Sequence, residues 1–138
     1  MSIDMKYLID THVLLWMAAD EENLSFTSRQ ILQSKDNVLF VSLMSFWEIS
    51  IKHSIGKLEL GISLGELLQF AVENKIEVLP VVFGDFEMIE KLPFPIHKGK
   101  EHRDPFDRMI ISQSITNNLL LISCDEKFDL YQNVNRIW

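Results

Sequence analysis

Only one cysteine, Cys124, occurs in 138 residues. That excludes a disulfide framework and a cysteine-based zinc site, and it fits a reducing compartment. Five glycines and four prolines are too few for a low-complexity linker or a fibrous repeat. No apolar run approaches the ~20 residues that cross a bilayer. The first residues also lack the basic and apolar regions of a signal peptide. The expectation is therefore one domain over residues 1–138, cytoplasmic and without a membrane partner. Basic residues are scarce as well, 13 against 20 acids, for a net charge of -7. Alone, this balance opposes nucleic acid as a partner, because phosphate attraction is the sequence-independent part of such binding. It ceases to do so if several acids gather around a divalent cation.

What is present is a regular alternation. Tyr7-Leu8-Ile9, Val38 to Val41, Val78-Leu79 with Val81-Val82, and Leu119 to Ile122 are short apolar runs bounded by polar or turn residues. They read as strands buried on both faces, the signature of a parallel sheet. Val134 to Trp138 is a weaker candidate for an edge strand. Helical patterns lie between them. One follows the first strand from Val13 to Ala19, and another runs from Ser25 to Ser34 with Ser25 or Thr27 as its cap. A third spans Met44 to Ile55 and stops at Gly56. Ser63 with Glu66 forms a capping box ahead of Leu64, Leu67, Leu68, Ala71 and Val72. A short helix covers Asp85 to Leu92, and Asp104-Pro105 opens a last one running to Asn117. Strands alternating with helices predict right-handed crossovers and a three-layer α/β domain, a central, mainly parallel sheet flanked by helices.

In such a sheet, ligands collect beyond the carboxyl ends of the strands. Asp10 follows the first strand and Asp125 follows the Leu119–Ile122 run, so two strands each deliver a carboxylate to one edge. Either could instead serve as a helix cap or turn residue. Glu48 sits in the apolar stretch Ser45-Phe46-Trp47-Glu48-Ile49, where a carboxylate needs a partner. Asp104 reads as the cap of the last helix. Asp107, in its first turn, is favoured by the helix dipole in any case. The stretch from His97 to Arg103 is the one cationic cluster, either a solvated loop or a phosphate-binding rim. Two carboxylates about 5 Å apart repel by roughly 3 kcal/mol at an effective dielectric near 20. Convergent acids therefore call for a counter-ion. Hard oxygen donors without a His/Cys set suit Mg²⁺ or Mn²⁺ better than zinc.

Taken in order, Leu8-Ile9-Asp10-Thr11, Ser45-Phe46-Trp47-Glu48-Ile49, His102-Arg103-Asp104-Pro105-Phe106-Asp107-Arg108 and Leu120-Leu121-Ile122-Ser123-Cys124-Asp125 resemble the motifs of PIN-domain endoribonucleases. Among these the chain looks most like the VapC toxins of type II toxin–antitoxin pairs. The resemblance implies catalytic acids at Asp10, Glu48, Asp107 and Asp125. Asp10, Asp107 and Asp125 would hold Mg²⁺ or Mn²⁺, and Glu48 would orient or activate the attacking water. Thr11, Asp104 and Ser123 would support the ligands, with Ser at 123 where relatives more often carry Thr. It further implies RNA cleavage leaving a 3′-hydroxyl and a 5′-phosphate, a homodimer, and a VapB-like antitoxin as protein partner. Lys98, Lys100, Arg103 and Arg108 are the expected RNA contacts, with Lys52 and Lys57 as further cations. Trp16, Phe46 and Trp47 could line an antitoxin groove or simply fill the core. His12 reads as structural.

Two other readings compete. An aspartyl phosphatase or phospho-receiver needs a further acid beside Asp10, and Ile9, Thr11 and His12 do not supply one. A PIN-like binding module without activity would retain the fold and bind a partner, although all four acids are intact here.

Overall fold

The computed structural model describes residues 5–138. Strands β1 (Lys6–Ile9), β2 (Val38–Ser42) and β3 (Ile76–Leu79) lead the fold. The hairpin strands β4 (Ile96–His97) and β5 (Lys100–Glu101) follow, then β6 (Leu120–Ile122) and β7 (Arg136–Ile137). Helices α1 (Thr11–Ala19), α2 (Phe26–Gln33), α3 (Leu43–Ser54), α4 (Leu64–Glu73), α5 (Phe83–Lys91) and α6 (Pro105–Thr116) lie between them. The main sheet has the order β3-β2-β1-β6-β7, and each of its pairings is parallel, with Tyr7 opposite both Leu39 and Leu120.

Period-two alternation sorts the strand residues between two cores. Tyr7, Ile9, Leu39, Val41 and Ile122 face one side, where Val13 and Leu14 of α1, Ile49 of α3, and Leu67 and Ala71 of α4 cover them. Leu8 and Leu121 face the other side and pack with Ile110 and Ile111 of α6, Phe128 and Tyr131. Both faces are buried, which is why these runs are nearly continuous in apolar residues.

Local signals set most helix ends. Ser25 caps α2 by accepting from the Ser28 amide at 3.0 Å. In the α4 capping box the Glu66 amide donates to Ser63 Oγ and the Ser63 amide donates to Glu66. Gly56, at φ +74°, closes α3 in a Schellman arrangement, with the Gly56 amide donating to His53 O and the Lys57 amide to Lys52 O.

Three readings need correction. β3 stops at Leu79 rather than continuing through Val81-Val82, because Pro80 has no amide to give a ladder. Val82 instead precedes α5, which begins at Phe83, two residues before the expected start. The buried Asp85 carboxylate organises that helix start, accepting from the Val82 amide at 2.9 Å and from Thr116 Oγ1 of α6 at 2.9 Å. The stretch after Pro95 is not an open loop. It is a tight hairpin turning at Lys98 and Gly99, both at positive φ (51° and 80°), the backbone of a type I′ turn.

Candidate functional site

The sheet order places a topological switch between β1 and β6. The chain steps outward from β1 through β2 to β3, then returns to the other side of β1. The crevice beyond the carboxyl ends of these two strands is where parallel sheets build sites. Asp10 stands there as the N-cap of α1, accepting from its neighbour Thr11 N at 2.7 Å. Its backbone amide donates to Ile122 O of β6 at 3.0 Å. Ser123 Oγ donates to Asp10 Oδ2 at 2.8 Å, and the Asp125 amide donates to Ser123 Oγ at 3.0 Å. Ser123 thus bonds a carboxylate 113 positions away in the chain and the amide of Asp125. Thr11 turns its hydroxyl to Ser45 Oγ of α3, 2.8 Å away, which fixes α1 against the helix that carries Glu48.

Glu48 is buried at 6% exposure, and its partner is on the same helix: Lys52 Nζ donates to Glu48 Oε2 at 2.6 Å. This bond holds the Lys52 ammonium above its usual range, with Asp104 and Asp107 adding to the effect. Lys52 therefore stands at the rim of the acids. Asp107 enters from the first turn of α6, where Asp104 is the N-cap and accepts from the Asp107 amide at 2.9 Å. Burial, then the charges of Asp104, Asp10, Asp125 and Glu48, push the Asp107 carboxyl up to about 8. Burial also raises Asp10, against the Ser123 bond and His12, which lower it. Carboxylates from four segments thus share one field.

The arrangement is not a closed ligand cage. Among the described residues, no three His, Cys, Asp or Glu side chains gather closely enough to hold a metal ion. Each Asp10 oxygen already accepts one hydrogen bond, from Thr11 N and from Ser123 Oγ, and keeps a further lone pair. Asp125 Oδ1 accepts from the Lys127 amide at 3.0 Å. Mutual repulsion opposes any tighter approach. The donor chemistry still fits a hard cation: these are oxygen ligands with excess negative charge, and Mg²⁺ keeps most of its waters and takes only one or two carboxylates directly.

The cations expected along the RNA path divide. Lys98 and Lys100 are exposed on the β4-β5 hairpin. Arg103 is exposed too and bonds Glu101 at 2.6 Å. Arg108 must be removed from that set. It is 5% exposed and its guanidinium is committed inward. Nη1 donates to Pro93 O at 2.7 Å and to Tyr131 Oη at 3.1 Å. Nη2 donates to Ile89 O and Leu92 O at 3.3 and 3.4 Å. The charge also lies 4.1 Å from the centre of the Phe94 ring. It supplies donors to carbonyls at and just beyond the end of α5, of which Ile89 O also accepts from the Leu92 amide at 3.2 Å. We predict that Arg108→Lys costs about 2–4 kcal/mol in denaturant unfolding, since an ammonium cannot serve that fork of carbonyls. The salt dependence of nucleic-acid binding should stay unchanged.

Two participants escaped the sequence reading. His102 is buried, with Nε2 3.0 Å from Asp107 Oδ2 and Nδ1 2.7 Å from Tyr131 Oη. Burial lowers its pKa, against the charge of Asp104. His102 lies within the motif that carries Asp107, but nothing local gave it a role or pointed to Tyr131. The aromatic candidates also separate: Phe46 is buried, Trp16 is partly buried against the core, and Trp47 is half exposed beside Phe106. His12 is exposed, its ring 5.9 Å from that of Trp16.

Fold and site together define an α/β domain that collects acids at the switch point of a parallel sheet. A family model for the PIN domain matches residues 7–133, and the chain belongs to that family. Comparison with curated proteins gives no match. Solved structures with the same fold include a chain of VapBC2 from Rickettsia felis, a complex crystallised with a DNA fragment from its promoter. It aligns at TM-score 0.69 and 17% identity, over 96% of this chain and 98% of that one. A chain of VapBC-1 from nontypeable Haemophilus influenzae aligns at TM-score 0.63 and 16% identity, over 96% and 97%. No helix among the described residues is long and apolar enough to cross a membrane.

Proposed function

We propose that the chain is a divalent-cation-dependent endoribonuclease of the VapC toxin type. The observation that carries this reading is the convergence of acids from four segments at the switch point, Asp10 tied through Ser123 to the Asp125 amide and Asp107 entering from α6 within the field of Asp10, Asp125 and Glu48. Membership of the PIN family supports it. Acids kept in such proximity, with Lys52 paired to Glu48 alone, are costly, and a bound Mg²⁺ or Mn²⁺ would relieve that cost.

Asp10, Asp107 and Asp125 are the proposed ligands. The chemistry such an ion supplies is neutralisation of charge at the scissile phosphate and a more acidic water. The chain's own groups do the rest. Ser123 and Thr11 hold Asp10 in place, and Asp104 caps the helix that delivers Asp107. Glu48 orients the attacking water and receives its proton once Lys52 shifts toward the phosphate. Lys52, at the rim, offsets charge developing on the phosphodiester. By the same reading the chain forms a homodimer and is held inactive by a VapB-like antitoxin. The two solved neighbours are themselves VapBC assemblies.

Cleavage of RNA by the purified chain with Mn²⁺ or Mg²⁺, abolished by EDTA and leaving 5′-phosphate ends, tests the proposal. Metal binding without turnover on cellular RNA would favour the binding-module alternative. Lys98, Lys100 and Arg103 are proposed to track the RNA backbone. Neutralising all three should flatten the slope of log affinity against log salt by about two, at about 0.7 per lost phosphate contact on single strands. A slope equal to wild type overturns that assignment.

A further inference from the structure

Behind Asp107 runs a buried chain of three polar side chains whose proton directions can be deduced. Tyr131, 2% exposed, has two hydrogen-bonding neighbours at its hydroxyl: Arg108 Nη1 at 3.1 Å and His102 Nδ1 at 2.7 Å. A guanidinium has donors only, so Tyr131 Oη accepts from Arg108. The phenolic proton then has one acceptor in reach, His102 Nδ1. A ring nitrogen that accepts carries no proton, so the proton of the neutral imidazole sits on Nε2. Nε2 lies 3.0 Å from Asp107 Oδ2 and donates to it. The reverse tautomer would leave a buried hydroxyl proton without a partner, which is unfavourable.

The surroundings fix this relay in position. Arg108 is clamped by the carbonyls of Ile89, Leu92 and Pro93. The His102 amide donates to Pro95 O at 2.8 Å, continuing the hairpin pairing. The His102 and Tyr131 rings pack edge to face, centroids 5.5 Å apart. Both rings are held by packing as well as by hydrogen bonds.

We infer that His102 is the positioning residue for Asp107: Arg108 and Tyr131 hold it as the Nε2–H tautomer, which occupies Asp107 Oδ2 and leaves Oδ1 for a cation. The second half of this inference rests on Asp107 being a metal ligand, as proposed above. The first half does not.

Nitrogen-15 NMR of the metal-free chain, at a pH where histidines are neutral, reads the tautomer directly. The His102 signal is assigned by its loss in His102→Gln. The expected result is a protonated Nε2 and a bare Nδ1 in the wild type, with a tautomer mixture in Tyr131→Phe. A protonated Nδ1 at His102 overturns the inference. Mn²⁺ titration by calorimetry provides the second arm. Tyr131→Phe should weaken Mn²⁺ binding ten- to a hundredfold, the usual penalty for losing an orienting partner. His102→Gln should retain most of the affinity, because its amide can donate to Asp107 and accept from Tyr131. Unchanged Mn²⁺ affinity in a folded Tyr131→Phe protein with a mixed tautomer overturns the positioning role. Should the wild type bind Mn²⁺ and give both expected results yet cleave no RNA, the positioning role stands and the nuclease reading falls.

Discussion

Asp107→Asn is expected to lower RNA hydrolysis by roughly 10³-fold, the scale on which removal of charge stabilisation at reacting atoms acts, while leaving a well-folded chain. The amide keeps what the fold uses at this position. Its backbone N–H still donates to Asp104 Oδ1, and its side-chain oxygen can still accept from His102 Nε2. What disappears is the negative charge that burial and four neighbouring acids already disfavour. Activity and stability should therefore move in opposite directions, as they do where a site is built against the fold's preference. The checks are a ribonuclease assay with Mn²⁺ and a denaturant melt on the same preparation. Retention of a tenth or more of wild-type cleavage would remove Asp107 from the machinery.

The second large effect is the dependence of metal-free stability on pH. Asp107 rises from 3.8 to about 8 on folding, so between those values the folded state binds the proton that the unfolded state has released. The stability this represents is complete below pH 3.8 and is lost as pH climbs through 8. Asp10 is raised as well and acts in the same direction. His102 is lowered from 6.5 and acts oppositely, but its contribution is lost only as pH falls below 6.5. The clean window therefore lies between pH 6.5 and 8. There, at about 1.4 kcal/mol per pH unit, the chain should lose on the order of 2 kcal/mol, or about 6 °C in Tm. Two controls identify the source: Asp107→Asn should flatten the profile, and saturating Mn²⁺ should raise Tm most at the alkaline end, where the carboxylate needs no deprotonation to bind. A Tm that rises between pH 6.5 and 8 without metal would contradict the assigned burial of Asp107.

Most main-sheet strands and most helix ends were legible because each is encoded locally. Two-sided burial writes continuous apolar runs at Tyr7–Ile9 and Leu119–Ile122. Ser25, Ser63 with Glu66, Gly56 and Asp104-Pro105 mark helix ends by chemistry confined to one turn. A carboxylate just past a strand, such as Asp10, lies at the sheet edge wherever that strand is placed. Tertiary structure alone decided what those groups touch. Arg108 reads in sequence as one more cation beside the motif, and only the approach of the α5 carbonyls and Phe94 turns it inward. His102 and Tyr131 are 29 positions apart and meet because the hairpin and the segment after β6 fold over the same end of α6. Period and capping report a residue's own element, whereas a hydrogen-bond direction or a raised carboxyl depends on neighbours that chain order does not specify. The strand-end positions of Asp10 and Asp125 were therefore readable from the sequence, and the polar chain behind Asp107 was not.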